Sequence, residues 1–295
     1  MTVRALQRIG YALLVLIGAG VAVSLALALV PDPSAEAFLQ RAGVNLKTFF
    51  TFDYAGRRSE NFPLLEVLVH RSVLSFTLIG GALGIALALG VSTGVTAALK
   101  PRNRLVRAWT GGLHALSAMP VLVFGIFAIL IATRLFGVPP YRLALESVGA
   151  GGVVLIYLLP MLTLALGDSL LADVSRTLQD ETTRLLAQDY IRAVRARNVS
   201  VRYHLIRGLT PPTISLFASK MAYLIGGSVV VEYVFGWQGL GFQVLEILTT
   251  DGAKDYPFIL AATTLFVGLT GLLHLFSDLA TLASDPRLRA APAPA

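Results

Sequence analysis

Six long apolar stretches dominate this chain: about Tyr11–Val30, Val73–Leu99, Leu113–Leu135, Gly149–Leu171, Pro212–Val234 and Phe258–Thr281. A helix that crosses the hydrocarbon of a bilayer needs about 20 such residues. An open strand cannot cross, because lipid offers nothing to its unpaired backbone groups. The ~10-residue alternation of an outer-membrane barrel is not visible either. The expectation is an all-α polytopic membrane protein with six transmembrane helices. Composition agrees: 14% of residues are charged, against roughly 25% in a soluble domain.

The first stretch competes with a secretory signal, since Arg4 and Arg8 precede it and Ala35-Glu36-Ala37 resembles a cleavage site. A signal core runs only about 7–15 residues, so a retained helix is the better reading. Orientation follows from the basic residues. With the N-terminus inside, the inner segments hold Arg4, Arg8, Lys100, Arg102, Arg104, Arg107, Arg176, Arg184, the arginines from Arg192 to Arg207, Arg287 and Arg289. The outer ones hold only Arg41, Lys47, Arg57, Arg58, Arg142 and Lys254. Positive charge is retained on the cytoplasmic side, so both termini are expected there. The chain then divides into a first transmembrane helix (1–30), an extracytoplasmic segment (31–72) and a five-helix core (73–289). A cytoplasmic loop spans 172–211, and the Pro/Ala tail at 290–295 reads as disordered. The net charge of +7 belongs to this topology. With only Tyr190 and Tyr203 among the arginines, nucleic acid is not an expected partner.

Chemistry is narrowly bounded. The chain has no cysteine, which removes disulfides, thiolate metal sites and cysteine nucleophiles. His70, His114, His204 and His274 show no metal-ligand spacing, and no G-x-x-x-x-G-K-[ST] cradle for ATP occurs. His274 and Asp278 share a helix face, and a buried pair or a proton relay are both open. Lys220, inside the fifth stretch, is expected to snorkel to the inner interface. Gly236, Gly239 and Gly241 follow an apolar helix, not a strand, and read as a tight turn or gate.

One stretch carries most of the signal: Asp189–Pro212, DYIRAVRARNVSVRYHLIRGLTPP. Tyr190, Ala193, Val194 and Arg197 share a helical face, with Arg192 and Arg195 pointing elsewhere. Asn198 interrupts, being tolerated in a left-handed terminating position. Ser200 has the chemistry of an N-cap, and Pro211-Pro212 is expected to end a short second helix before the fifth span. Membrane lipid headgroups are one partner for these arginines, and a protein groove is another.

The stretch resembles the EAA loop of ABC-importer permeases, in the dipeptide/oligopeptide/nickel variant. Asp189, Tyr190, Arg192, Arg195, Ala196 and Ser200 match that pattern directly, with Asn198 where the family has glycine. Leu159-Pro160, Gly226–Gly241 (GGSVVVEYVFGWQGLG), Asp255-Tyr256-Pro257 and Ser284–Arg289 resemble further segments of the family. The resemblance implies a type I ABC-importer permease working with a second homologous permease as a heterodimer. It also implies two cytoplasmic ATPases and an extracytoplasmic solute-binding protein, in a bacterial inner membrane. ATP and Mg would sit on the ATPases, with no cofactor in this chain and no hydrolysis by it. The ATPase-coupling residues are then Tyr190, Arg192, Ala193, Arg195, Ala196, Arg197, Asn198, Val199, Ser200 and Val201, with Arg192–Val201 as the coupling helix. Candidates for the path or gate are Ser75, Thr77, Ser169, Ser228, Glu232 and Trp237, although membrane hydroxyls equally serve helix packing. Peptides are the expected cargo. Nickel chelates, opines, glutathione and oligosaccharides are alternatives, as are an exporter or an ion-gradient carrier.

Overall fold

The computed structural model describes residues 2–29, 35–51, 58–59, 62–136, 150–167, 169–249 and 256–284. Helices account for nearly all of it: α1 (Thr2–Leu29), α2 (Ala35–Thr51), α3 (Leu64–Leu99), α4 (Arg104–Ser117) and α5 (Val121–Phe136). After them come α6 (Ala150–Leu166), α7 (Leu170–Leu186), α8 (Asp189–Ala196), α9 (Val201–Phe235), α10 (Leu240–Thr249) and α11 (Tyr256–Ser284). The described strands are a two-residue antiparallel ladder, Arg58–Ser59 against Phe62–Pro63.

Three helical segments, within α1, α3 and α11, are each long and apolar enough to cross a bilayer. Three bent pairs would bring the number to 6 if each counts as one span. The bends correct the expected boundaries. The stretch Leu113–Leu135 is no single rod, because α4 and α5 meet at 102°. The break falls at Ala118–Pro120, where proline disfavours helical backbone at Met119. Asn103 caps the other end of α4, accepting from the Leu105 and Val106 N–H groups. The fourth stretch bends by 57° between α6 and α7, where Ser169 adopts a left-handed φ of 63°. The second begins at Leu64, earlier than the expected Val73.

The fifth stretch gives the largest correction. Pro211 and Pro212 lie inside α9 and do not end it. The helix runs on through both, and its 45° bend falls between Met221 and Tyr223. Nearby, the Thr210 and Thr213 hydroxyls donate to the Ile206 and Leu209 carbonyls. The carbonyls that the prolines leave without an N–H partner are instead those of Arg207 and Gly208, four residues earlier.

The core lies where α3, α6, α7 and α9 meet, around Leu78, Ile79, Leu83, Leu164, Leu170 and Leu224. Lipid tails are as apolar as leucine, so closeness of packing has to hold such helices together. The α3–α7 contact achieves it with small residues. A Cβ on Gly94 would collide with the Ser175 carbonyl oxygen, and Thr93 Oγ1 donates to Ser175 Oγ at 3.1 Å. Larger residues would force these backbones apart.

Candidate functional site

Two places gather the residues that the sequence singles out. The first is the turn between α8 and α9. Its helix is only eight residues long, too short to stand alone in water, so a tertiary anchor must hold it. Ile191 is that anchor: it is fully buried, while Tyr190, Arg192, Ala193, Arg195, Ala196 and Arg197 are exposed. The inward face is therefore Ile191 with half-buried Val194, not the Tyr190 face. An apolar residue three positions before Val194 was the readable signal. Tyr190 instead meets His204 edge-on at 6.2 Å, and His204 meets Tyr203 at 5.6 Å, which braces α8 against α9.

The helix ends in a Schellman turn. Asn198 has φ 57°, the Val199 N–H donates to the Val194 carbonyl at 3.1 Å, and the Asn198 N–H donates to Arg195 at 3.0 Å. Asparagine thus holds the left-handed backbone expected where the family has glycine. Two details differ from expectation. The helix is Asp189–Ala196, so Arg197–Ser200 form the turn and only Val201 is helical again. Ser200 holds the cap position of α9, yet its hydroxyl makes no capping bond. The outcome is an exposed basic knob, with Arg192 beside Asp189 at 3.3 Å.

The second place is the other end of α9. Gly236 closes that helix in the left-handed region at φ 62°, with Trp237 N–H donating to the Glu232 carbonyl at 2.8 Å. The chain then turns into α10, whose first N–H groups need acceptors. Leu240 N–H donates to Ser75 Oγ at 2.8 Å, and Phe242 N–H to Glu232 Oε2 at 2.9 Å. The Ser75 hydroxyl donates in turn to Glu232 Oε1 at 2.7 Å. Glu232, Ser75 and Ser228 are fully buried. A carboxylate at a helix N-terminus also meets the positive end of the helix dipole. Gly239 is required here, since a Cβ would collide with Ser75 Oγ and the Glu232 carboxyl.

Trp237 belongs to the same corner. Its Nε1–H donates to the Leu74 carbonyl at 3.0 Å, and its ring meets Tyr157 edge-on at 5.1 Å. Above it, Arg71 donates to the backbone and side-chain oxygens of Gln238 at 2.9 and 3.2 Å. Of the path candidates, Ser75, Ser228, Glu232 and Trp237 meet here, the Ser228 side chain also hydrogen-bonding Glu232. Ser228 bonds the Ile225 carbonyl as well, whereas exposed Thr77 bonds Val73 on α3. Ser169 lies at the α6–α7 bend, its N–H donating to the Ser117 carbonyl at 2.6 Å.

Lys220 does not snorkel alone. Its ammonium pairs with Asp173 of α7 at 2.8 Å and lies 5.7 Å from the centre of the Tyr223 ring. No sequence pattern announced this pair, because the two residues are 47 positions apart. The side chain of Asp278, the suggested partner of His274, is outside the described residues, as are residues 285–295.

Long apolar helices, an exposed basic turn braced on one of them, and a buried carboxyl group holding the opposite corner define a polytopic membrane component. The family described as the binding-protein-dependent transport system inner membrane component matches residues 90–290, and the chain belongs to it. The resemblance to a peptide/nickel-type ABC-importer permease is thereby borne out. A putative peptide permease of Brucella suis biovar 1 is 28% identical over 228 residues, covering 72% of this chain and 67% of the relative. A probable peptide ABC transporter permease of Sinorhizobium fredii is 30% identical over 234 residues, 77% of this chain and 72% of its own. A nickel import system permease of Staphylococcus aureus is 28% identical over 236 residues, 77% and 66% respectively. The chain is thus a permease subunit of an inner-membrane transport system.

Proposed function

We propose that this chain is one half of the membrane path of an ATP-driven importer, with α8 and its Schellman turn as the part moved by ATPase subunits. In this reading six spans cross the membrane with both termini cytoplasmic, and a second homologous permease completes the path. Two ATPases hold the ATP and Mg, and an external binding protein delivers the solute. The cargo is a peptide, as the names of the Brucella and Sinorhizobium relatives suggest. The Staphylococcus relative keeps a nickel chelate as the second reading.

The observation that carries the proposal is the exposed knob itself. Ile191 is buried and fixes α8, yet Arg192, Arg195, Arg197 and Asn198 are all exposed. A rigid, outward-facing basic surface can set the register of an acidic groove on a partner. It transmits work only if the contact differs between the open and closed ATPase pair. Tyr190, Ala193, Ala196, Val199, Ser200 and Val201 complete the surface.

The absence of cysteine makes the test clean. A single cysteine at Ala193, coupled to a short bifunctional reagent in native membranes, is expected to capture a nucleotide-hydrolysing chain. Recovery of every neighbour without such a chain would remove the coupling role. Proteoliposomes holding this chain alone are expected to show no uptake. Gradient-driven uptake by it would establish a self-sufficient carrier instead.

A further inference from the structure

At the end of the molecule that bears the α8 turn, α3 and α9 diverge around a groove of about 730 Å³. Its walls are largely aliphatic, with Val95 and Leu99 of α3 opposite Leu205 and Leu209 of α9. Leu99 is the last residue of α3 and Val201 the first of α9, and both line it, so its mouth is level with the knob. Two guanidiniums, Arg195 and Arg202, line it as well, and no acidic residue does. Neither arginine has an ion-pair partner among the described residues. The greasy lips are open, Leu99 being 50% and Ile206 59% exposed.

We infer that this groove is a binding site for an anionic phospholipid of the cytoplasmic leaflet. One acyl chain lies between α3 and α9, and the phosphate sits on Arg195 and Arg202. The inference rests on the cytoplasmic placement of this end argued above.

Charge decides between occupants. An acidic groove that takes the outer face of α8, with Arg192 and Arg197, has no hydrocarbon to fill the aliphatic walls between α3 and α9, whereas a phospholipid brings both a tail and an anion. A phospholipid brings one phosphate that both arginines can share, and guanidinium binds phosphate with paired hydrogen bonds. Basic residues beside the inner leaflet favour anionic headgroups in particular. The apolar walls accept a hydrocarbon tail without leaving a polar group unpaired. There is a consequence for coupling. Arg195 belongs to α8 and Arg202 to α9, so one phosphate would tie the two helices across the Asn198 turn. The setting of the knob then depends on leaflet composition.

The test places a photoreactive phenylalanine analogue at Ile206 in the assembled transporter, irradiated in intact cells and read by mass spectrometry. The expected product is an adduct of phospholipid mass, enriched in anionic headgroups over the bulk membrane. Arg202→Ala is expected to lower that enrichment roughly fivefold. Leu209→Trp, which fills the groove, should abolish the adduct in complexes that still elute as one species. A protein adduct at Ile206, absence of a lipid adduct, or headgroup composition unchanged by Arg202→Ala would each overturn the assignment. The reading needs no transport, so it is separable from the ATPase cross-link at Ala193. If only that cross-link fails, the coupling role falls and the lipid site stands.

Discussion

Ser75 of α3 and Glu232 of α9 stand 157 residues apart in sequence, and their side chains share a 2.7 Å hydrogen bond inside the protein. Ser75 also accepts from the first turn of α10, and Glu232 accepts from the Phe242 N–H. Two hydroxyl and carboxylate side chains therefore hold three helices at one corner. That arrangement explains why a carboxyl group is tolerated at full burial: both of its oxygens are hydrogen-bonded. A gate role would have to act through this lock, because Glu232 faces no open space in the isolated chain.

Glu232→Gln puts an amide NH2 where backbone N–H groups already point. A buried donor left without its acceptor costs about 1–3 kcal/mol, so a clear loss of thermal stability in detergent is expected. Ser75→Ala should cost less than Glu232→Gln, and the double variant should cost less than the two singles together. Additive losses in that cycle would show that the pair is not coupled. Uptake is expected to fall in Glu232→Gln while the partner subunits still co-purify.

The Asn198 turn gives a second series. A left-handed backbone costs an ordinary L-residue about 1–2 kcal/mol, and asparagine less. Asn198→Gly should keep or improve coupled ATPase activity, since glycine adopts φ 57° without strain. Asn198→Val should distort the knob and lower ATPase stimulation by the loaded binding protein, with little change in membrane insertion. Equal activity of all three would mean that the turn's geometry does not matter for coupling.

Sequence reading reached the helical class, the apolar segments and the knob with its left-handed Asn198, because each rests on local chemistry. It missed what depends on tertiary contact. Pro211-Pro212 looked like a helix end because local rules count the lost N–H bonds, yet the helix runs on through both, with Leu205 and Leu209 packed in the core beside them. Ile191 was hidden among arginines that drew attention to the opposite face. The Ser75–Glu232 lock and the Asp173–Lys220 pair join distant segments, and no spacing encodes that. Glu232 was visible only as a costly residue near a span end.

The close approach of α3 and α7 makes a third prediction. Gly94→Ala would drive a methyl group into the Ser175 carbonyl, and backbone cannot move aside as a side-chain tip can. Overpacking of this sort costs about 1–3 kcal/mol. The variant should melt earlier in detergent than wild type, and Gly94→Val earlier still. Gly111→Ala is the control, for nothing lies within 4 Å of a Cβ there. If Gly94→Ala melts with the control, the helices are free to separate and small residues are not what holds them.

Lys220 and Asp173 supply the last test. Their 2.8 Å contact is unevenly covered, with 20% of the lysine side chain and 45% of the aspartate side chain exposed. Because Asp173 is so open, solvent screens the pair and its worth is closer to about 1 kcal/mol than to that of a sealed ion pair. Lys220→Met should still be worse than Lys220→Met with Asp173→Asn, since the single change strands a charge on α7 and the double change strands none. Melting of the purified complex reads this order directly. If instead the double variant is as stable as wild type but no longer transports, the charges meet the solute or the second permease and do not merely join α7 to α9. If single and double variants melt alike, Asp173 is fully satisfied by water and the contact contributes nothing to the bundle.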